Sequence, residues 1–346
     1  MLKTFFKKII EIGIVVNDIE KTLENFCFKY GIGPWSIFDC SSKNIKNMFH
    51  RGKPVNSRFK LAECRLGEIT FEIIQPLDDN NIFSVFLKNK GQYLHHIGYE
   101  VMDYDKAVNL FRTEGYIETQ SGSFYGKRRF IFFESEIGLK HTVKFIESDM
   151  SYFKYHQNNN QIGNLIIPEP SKIYPEKKES DKMQKPVFSK IAQVSFIVKN
   201  VDEMVRKYND TLGIGPWKIW EFGPDTVNDM AIHGKRSDYR MRLALAKIGD
   251  IDIELIQPRD DKSIYADFLK TNGEGFHHLA YIVEDFDKLM QYMEKIGIKV
   301  SMSGNWCGKH IWVYLTTEND IKHIVELNST EPGFIYPEPV ECYPPK

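Results

Sequence analysis

The second half of the chain alternates between strand-like and helix-like patterns of apolar and polar residues. Residues 193–198 alternate with period two, and a helix is predicted to begin at the capping residue Asn200 and to end at Gly213. Three strands follow, and after a short helix the series of one strand, one helix and three strands begins again. The pattern predicts a βαβββ unit used twice. After the first helix its segments are strands near 216–222, 239–247 and 250–257, a helix at 263–271, a strand at 276–283, a helix at 285–295, and strands near 298–303, 310–316 and 321–328.

The first half of the chain repeats this pattern without a gap. GIGPWSI at 31–37 returns as GIGPWKI at 213–219, and HHIGYEVMDYDK at 95–106 returns as HHLAYIVEDFDK at 277–288. IIQP followed by Leu77 likewise returns as LIQP followed by Arg259, and every such pair is separated by 182 positions. One offset held across separated segments indicates a duplication, so we expect the two copies to share their strand register.

The repeat predicts four segments in the chain. The first copy is expected at 1–148 and the second at 188–330, with a polar, proline-bearing linker or arm at 149–187 and an extended tail at 331–346. The linker contains IYPE, which the tail echoes as IYPEP. Each copy is therefore expected to end in a similar extended tail that lies over its own surface.

Composition and charge narrow the class of protein. The formal net charge of −1 supplies no field that would draw the chain onto nucleic acid or an anionic membrane, so neither is expected as a partner. No apolar run approaches the ~18 residues of a membrane span, and the first residues indicate a strand rather than a signal peptide. The five cysteines are odd in number and show no zinc spacing, which favours a reducing, cytoplasmic setting.

Four strands of the second copy each carry one strong ligand type near the middle. These residues lie on the face opposite the apolar positions of their strands, and they are Gln193, Glu254, His278 and Glu326. A carboxylate in mid-strand is costly unless it is paired or bound to a cation. One shared site explains these residues better than four separate exceptions do.

The repeated HHLAYIVEDFDK motif, preceded by IELIQP, resembles domains of the vicinal oxygen chelate superfamily. That superfamily includes glyoxalase I, methylmalonyl-CoA epimerase, fosfomycin-resistance proteins and extradiol dioxygenases. The resemblance covers both copies and implies an α+β fold of tandem domains. In each domain, paired βαβββ units would form a cup-shaped mixed sheet around a divalent metal.

The resemblance also implies a site and a chemistry. Gln193, Glu254, His278 and Glu326 take the positions of the metal ligands, as in glyoxalase I of the animal type, where the last Glu also serves as catalytic base. The implied cofactor is a divalent metal ion, one of Zn, Ni, Co, Mn or Fe. The implied activity is that of a lyase, isomerase or epimerase that stabilises an enediolate of a small oxygenated metabolite.

Two other functions remain open. A sequestering protein of the antibiotic-resistance kind would bind a small molecule without changing it. A non-haem iron dioxygenase would need a triad of two His and one carboxylate, with its first His where Gln193 stands.

The first copy departs from the ligand set, since its equivalents are Glu11, Glu72, His96 and Lys144. A protonated lysine has no lone pair, so we expect Lys144 to occupy the place of the cation in a copy retained for architecture.

Three basic residues of the second copy are candidates for binding a substrate carboxylate or phosphate: Arg240, Arg242 and Lys309. A polar outer rim of the sheet explains them equally well. Because single-copy relatives usually dimerise, the chain is expected to be a monomer with an internal pseudo-dimer, or a homodimer.

Overall fold

The computed structural model describes residues 6–126, 128–135, 138–147, 170–176 and 188–345. Most of the predicted linker, 149–169 and 177–187, therefore lies outside the described residues, and the domain boundaries stay predictions. The described part of the first copy consists of β1 (Phe6–Val15), α1 (Ile19–Phe28), β2 (Trp35–Cys40), β3 (Ile45–His50), β4 (Lys53–Pro54), β5 (Phe59–Leu66), β6 (Ile69–Pro76), α2 (Ile82–Lys90), β7 (Tyr93–Val101), α3 (Tyr104–Thr113), β8 (Ile117–Phe124), β9 (Arg128–Glu134), β10 (Thr142–Glu147) and β11 (Lys172–Tyr174).

The second copy repeats these elements in the same order. They are β12 (Phe188–Ile197), α4 (Val201–Leu212), β13 (Trp217–Phe222), β14 (Val227–Ile232), β15 (Lys235–Arg236), β16 (Met241–Ile248), β17 (Ile251–Pro258), α5 (Ile264–Thr271), β18 (Gly275–Val283), α6 (Phe286–Lys295), β19 (Val300–Trp306), β20 (His310–Leu315), α7 (Glu318–Ile321), β21 (Ile324–Thr330) and β22 (Glu341–Tyr343).

Each copy folds into one mixed sheet of 11 strands. In the second copy the order is β15-β14-β19-β20-β21-β18-β12-β17-β16-β13-β22, and the first copy has the equivalent order. The first strands of the two βαβββ units, β12 and β18, pair antiparallel at the centre of the sheet. Each is flanked by the last strand of its own unit, which runs parallel to it. The predicted α+β architecture of tandem, cup-shaped domains is confirmed.

Two local differences from the predicted unit have physical causes. The hairpin β14–β15 was not predicted, and its tight turn is made by His233 and Gly234, which have φ angles of 48° and 74°. The last strand of the second copy begins at Ile324 rather than 321, because α7 precedes it and ends at Lys322 in the left-handed region.

The tails add an edge strand to each sheet. β11 pairs with β2 and places Tyr174 opposite Trp35, whereas β22 pairs with β13 and places Tyr343 opposite Trp217. A short strand from outside each repeated unit thus lies along the edge of that unit's own sheet. The echo at 335–339 is not the structural counterpart of 173–176, since that segment lies between β21 and β22.

The two faces of the sheets have separate apolar cores. The helix-covered faces of both copies share one continuous cluster, which includes Val194, Phe196 and Leu279. The concave faces hold one cluster each, and Ile197 and Ile256 belong to that of the second copy. This division follows the strand alternation and leaves the concave face for the site.

The copies contact each other reciprocally through their helix faces. The Tyr208 hydroxyl of the second copy donates to the Leu139 carbonyl of the first, 2.9 Å away, and His141 packs against the Tyr208 ring. In the reverse direction, His323 of the second copy stacks on Phe26 of the first. An internal pseudo-dimer interface is therefore present within one chain. Within the described ranges, no helix has the length and apolar character needed to cross a membrane.

Candidate metal centre

Four central strands bring the predicted ligands together. Ser195 on β12 pairs with Glu254 on β17 at one side and with His278 on β18 at the other. Glu326 on β21 pairs with Ala280, two residues beyond His278. The register therefore directs Glu254, His278 and Glu326 to one point on the concave face.

Three atoms that could bind a metal ion converge at this point. His278 Nε2 lies 2.8 Å from Oε2 of Glu326 and 3.3 Å from Oε2 of Glu254. All three side chains are buried, and none of these three atoms has a hydrogen-bond partner. Buried polar atoms are nearly always paired, so lone pairs that converge in this way fit a cation.

The electrostatics of the triad point the same way. Burial by itself lowers the pKa of His278, but Glu326 and Glu254 more than offset it and raise the pKa to about 9. Burial raises the pKa of Glu254. Protons thus partly supply the positive charge that the cluster requires, and a divalent ion would displace them. Nδ1 of His278 lies 2.9 Å from Nδ1 of His277, which holds the ring in place.

Glu254 and Glu326 border a cavity of about 90 Å³ on the concave face. Gln193 is half-buried and lines this cavity with Glu254 and Glu326, so the fourth predicted ligand borders the same space. The other lining residues are mainly aromatic or aliphatic: Phe222, Met241, Leu243, Leu245, Trp306, His310, Trp312, Tyr314, Asn328 and Tyr336.

The residues proposed for substrate binding do not line this cavity. Met241 and Leu243 point into the cup, so Arg242 between them points to the opposite face of β16. There it pairs with Asp202, Glu221 and Glu341 at 2.7–2.8 Å.

The other two basic residues lie outside the cavity as well. Arg240 precedes β16 and pairs with Asp225 at 3.0 Å, and Lys309 is exposed in the turn between β19 and β20. None of the three lines the cavity: Arg242 is turned outwards by strand alternation, Arg240 precedes the strand, and Lys309 lies in a turn.

Sequence reasoning missed several residues of the cavity wall. His310, Trp312 and Tyr314 alternate along β20 and share its concave face. Asn328 lies two residues beyond Glu326, which places it on the face of the ligands. The same period-two argument that placed the ligands would have found all four.

In the first copy a lysine takes the place of the cation, as predicted. Lys144 Nζ donates to Glu11 and also lies 3.0 Å from Oε1 of Glu72. His96 Nε2 lies 3.1 Å from Oε2 of Glu72. The cluster is buried and its charges are paired, so these residues do not fit a metal ion while Lys144 is present.

The rest of the first cup is filled. Phe130 and Phe132 stand where the second copy has Trp312 and Tyr314, and they pack with Phe59 and Leu61 in one apolar cluster. The His96 ring lies against Gly13, where an added Cβ would be 2.0 Å from Cε1. The second copy has Ser195 at that position, so the two histidines cannot lie in the same way.

A protein-family comparison accounts for both copies. The family described as the glyoxalase/bleomycin resistance protein/dioxygenase superfamily matches residues 11–133 and 192–311, which is more than half of the chain. The chain belongs to this superfamily. The resemblance to vicinal oxygen chelate domains is thereby confirmed, whereas no curated protein matches the sequence.

Solved structures share the tandem arrangement. A triple mutant of 4-hydroxymandelate synthase from Streptomyces coelicolor matches with a TM-score of 0.54 and 11% identity, over 96% of this chain and 95% of that one. A fusion of a xylose isomerase-like TIM barrel and 4-hydroxyphenylpyruvate dioxygenase matches with a TM-score of 0.51 and 11% identity, over 97% of this chain and 50% of that one.

Methylmalonyl-CoA epimerase from Mycobacterium tuberculosis is 20% identical over 42% of this chain and 91% of that one, with a TM-score of 0.33. At these identities the likeness to the two longer structures concerns the fold alone.

The donor set of the second copy fits the divalent metals that such superfamily members use. It combines one imidazole nitrogen with carboxylate oxygens and a neighbouring amide, which suits Zn, Ni, Co, Mn or Fe and does not distinguish among them.

Replacing the lysine of the first copy should create a second metal site. Lys144→Glu removes the ammonium and leaves three carboxylates beside His96, so zinc content after dialysis should rise from one to two ions per chain. Lys144→Met is the matched control: it should gain no zinc and should lose about 3–5 kcal/mol of stability, because buried carboxylates lose their partner. An unchanged zinc content in folded Lys144→Glu protein, or zinc bound between Glu72 and His96 in the wild type, would contradict the role of Lys144.

The first copy should also become less stable as the pH rises. Burial, reinforced by Glu72 and Glu11, raises the pKa of Glu63 to about 8. Because this value exceeds that of an unfolded glutamate, the contribution of Glu63 to stability is complete below about pH 4.5 and is lost as the pH rises through about 8. Between about pH 5 and pH 9, the free energy of unfolding measured by urea titration should therefore fall by at least about 1 kcal/mol less in Glu63→Gln than in the wild type. The exposed Glu68→Gln is the control, and a parallel pH profile for Glu63→Gln would count against the shift.

Proposed function

We propose that the chain is a divalent-metal-dependent enzyme of the lyase, isomerase or epimerase type that acts on a small oxygenated metabolite in the second cup. The observation that supports this proposal is the convergence of three buried ligand atoms, those of Glu254, His278 and Glu326, beside a cavity that Glu254 and Glu326 line. A structural site would be closed on all sides, whereas a catalytic site keeps an open position.

The proposed role of each residue follows from the position of its side chain. A bound divalent ion would supply Lewis-acid stabilisation of negative charge on two neighbouring substrate oxygens. Glu254, His278 and Glu326 would hold the ion from β17, β18 and β21, with Gln193 beside them. His277 keeps the His278 ring oriented through the contact between their Nδ1 atoms.

Glu326 is proposed as the group that moves the proton. It lines the cavity, its Oε2 is buried without a hydrogen bond, and the strand next to it places Tyr314 directly opposite. A carboxylate held in this way can take a proton from a carbon beside a carbonyl group and return it to a neighbouring atom. The apolar walls exclude water, so the proton is not lost to bulk solvent before it is returned.

Two alternatives remain within the superfamily, whose description includes dioxygenases and resistance proteins. A dioxygenase of the usual triad would need a second histidine ligand, and the first-strand position holds Gln193. A sequestering protein would bind its ligand without proton transfer. Each alternative has a distinct signature in the experiment below.

The proposal extends to the partner, the oligomeric state and the cellular setting. The partner is a small molecule, and the internal pseudo-dimer makes a monomer sufficient for activity. All five cysteines are free, which supports the cytoplasmic setting that the sequence predicts.

Glu326→Gln should abolish proton transfer without removing the cavity. The probes are hydroxyacetone and 2-hydroxyacetophenone, whose hydroxyl and carbonyl oxygens are adjacent, and exchange of their α-protons with deuterated solvent is followed by NMR. We expect the metal-loaded wild type to accelerate exchange of at least one probe, and Glu326→Gln to reduce that rate at least about 100-fold, as for a lost general base. His278→Ala should lose both metal and exchange, whereas Glu294→Gln, on the exposed side of α6, should match the wild type.

Three results would contradict this function. Metal-loaded protein that exchanges neither probe, or exchange that survives Glu326→Gln, would exclude the proposed role of the glutamate. Oxygen consumption by iron-loaded protein with either probe would indicate a dioxygenase instead.

A further inference from the structure

We propose that Tyr93 of the first copy is a positioning residue for the metal centre of the second copy, where it acts on the ligand His278 through His277. The proposal deepens the function above and rests on it for the presence of the ion. The observation behind it is a hydrogen bond that crosses from one copy to the other: the Tyr93 hydroxyl donates to the His277 carbonyl, 2.9 Å away.

His277 occupies an irregular position in β18. Ser195 of β12 pairs with His278 and Phe196 pairs with Phe276, so the register passes over His277. On the other side of β18, the pairing with β21 begins at His278. A bulge of this kind interrupts the alternation of side chains along a strand. It allows two consecutive histidine rings to lie buried and in contact with each other.

The His277 ring orients the metal ligand. Its Nδ1 lies 2.9 Å from Nδ1 of His278. A histidine that binds a metal through Nε2 keeps a hydrogen on Nδ1 and donates it to a neighbouring acceptor. Tyr265 and Phe268 contact the His277 ring edge-on, with centroids 5.3 and 5.0 Å away. A shift of the His277 backbone would therefore move the acceptor on which the orientation of His278 depends.

Tyr93 holds the backbone of His277 from the first copy. A buried carbonyl requires a donor, and His277 is 1% exposed. Tyr93 is the first residue of β7, where it pairs with Val15, and its half-buried ring packs on the apolar cluster that both copies share. The donor thus lies on a paired strand, and a group on a strand is placed more precisely than one on a loop.

The second copy does not return this bond. The first copy has the same bulge, at His95. The counterpart of Tyr93, however, is Gly275, which has no side chain to donate. The copy with Lys144 at its centre therefore lacks this support, whereas the copy with the predicted ligand set receives it.

Zinc affinity tests the link between the copies. Dissociation constants for Zn²⁺ are measured on full-length protein by competition with a chromophoric chelator. Tyr93→Phe removes only the hydroxyl and should weaken zinc binding at least about fivefold, since loss of a direct partner of a metal ligand typically costs about 10- to 100-fold. The visible absorption of the Co²⁺-loaded variant should change as well, because the ligand ring is reoriented.

Tyr208→Phe is the matched control. The Tyr208 hydroxyl also donates across the copies to a backbone carbonyl at 2.9 Å, but its acceptor is Leu139 of the first copy. Urea unfolding of the metal-free variants should show similar losses of stability, since each variant removes one hydrogen bond of the same kind. Only Tyr93→Phe should change the zinc affinity and the Co²⁺ absorption.

A double-mutant cycle tests the route through His277. His277→Leu removes the Nδ1 acceptor, so in that background Tyr93→Phe should weaken zinc binding by no more than about a further twofold. Equal zinc affinity of wild-type and Tyr93→Phe protein, equal losses of affinity in Tyr93→Phe and Tyr208→Phe, or full additivity with His277→Leu would each overturn the proposal.

The two proposals fail in different ways. Weaker zinc binding by Tyr93→Phe, without proton exchange by the wild type, would leave the link between the copies standing and remove the proposed reaction. Proton exchange by the wild type, with an unchanged zinc affinity of Tyr93→Phe, would leave the function standing and remove the role of Tyr93.

Discussion

Each sheet carries buried acidic side chains at its centre, and these require a positive charge beside them. The requirement is strict because an ionised carboxylate in an apolar surrounding loses several kcal/mol of solvation unless it is paired. In the first copy Lys144 supplies this positive charge and pairs with Glu11 and Glu72. In the second copy Gln193 stands for Glu11 and Glu326 for Lys144, so two carboxylates remain while the lysine is lost. The two copies thus share one fold but differ in what neutralises the central carboxylates: a lysine in the first copy and, as proposed, a metal ion in the second.

The rest of the structure holds that constraint in place. The parallel and antiparallel pairings of β12 fix Glu254 and His278 on either side of Ser195, and the shared apolar cluster on the helix side keeps both sheets curved around their cups. His141 and His323 pack across the boundary between the copies in equivalent positions. The first copy therefore contributes to the packing of the second, because their helix faces share one apolar cluster.

Much of this was predictable from residue patterns. The offset of 182 positions fixed the order of strands in both copies, and period-two alternation placed Glu254, His278 and Glu326 on one face. The role of Arg242 was not predictable, because its partners, Asp202 and Glu341, are distant in sequence and cannot be inferred from alternation. The counterpart of β11 was also out of reach, since the repeated IYPE sequence suggested 335–339, whereas strand pairing places it at Glu341–Tyr343.

The central claim is that a divalent ion replaces the missing internal cation in the second copy. The most direct measurement is a crystal structure of metal-supplemented protein with anomalous scattering recorded at the absorption edge of the added metal. The account predicts one anomalous peak per chain, about 2.0–2.2 Å from Nε2 of His278 and from oxygens of Glu254 and Glu326, with the Gln193 amide completing the set. A peak between Glu72 and His96 instead, or a fully supplemented protein whose second cup binds no metal, would contradict it.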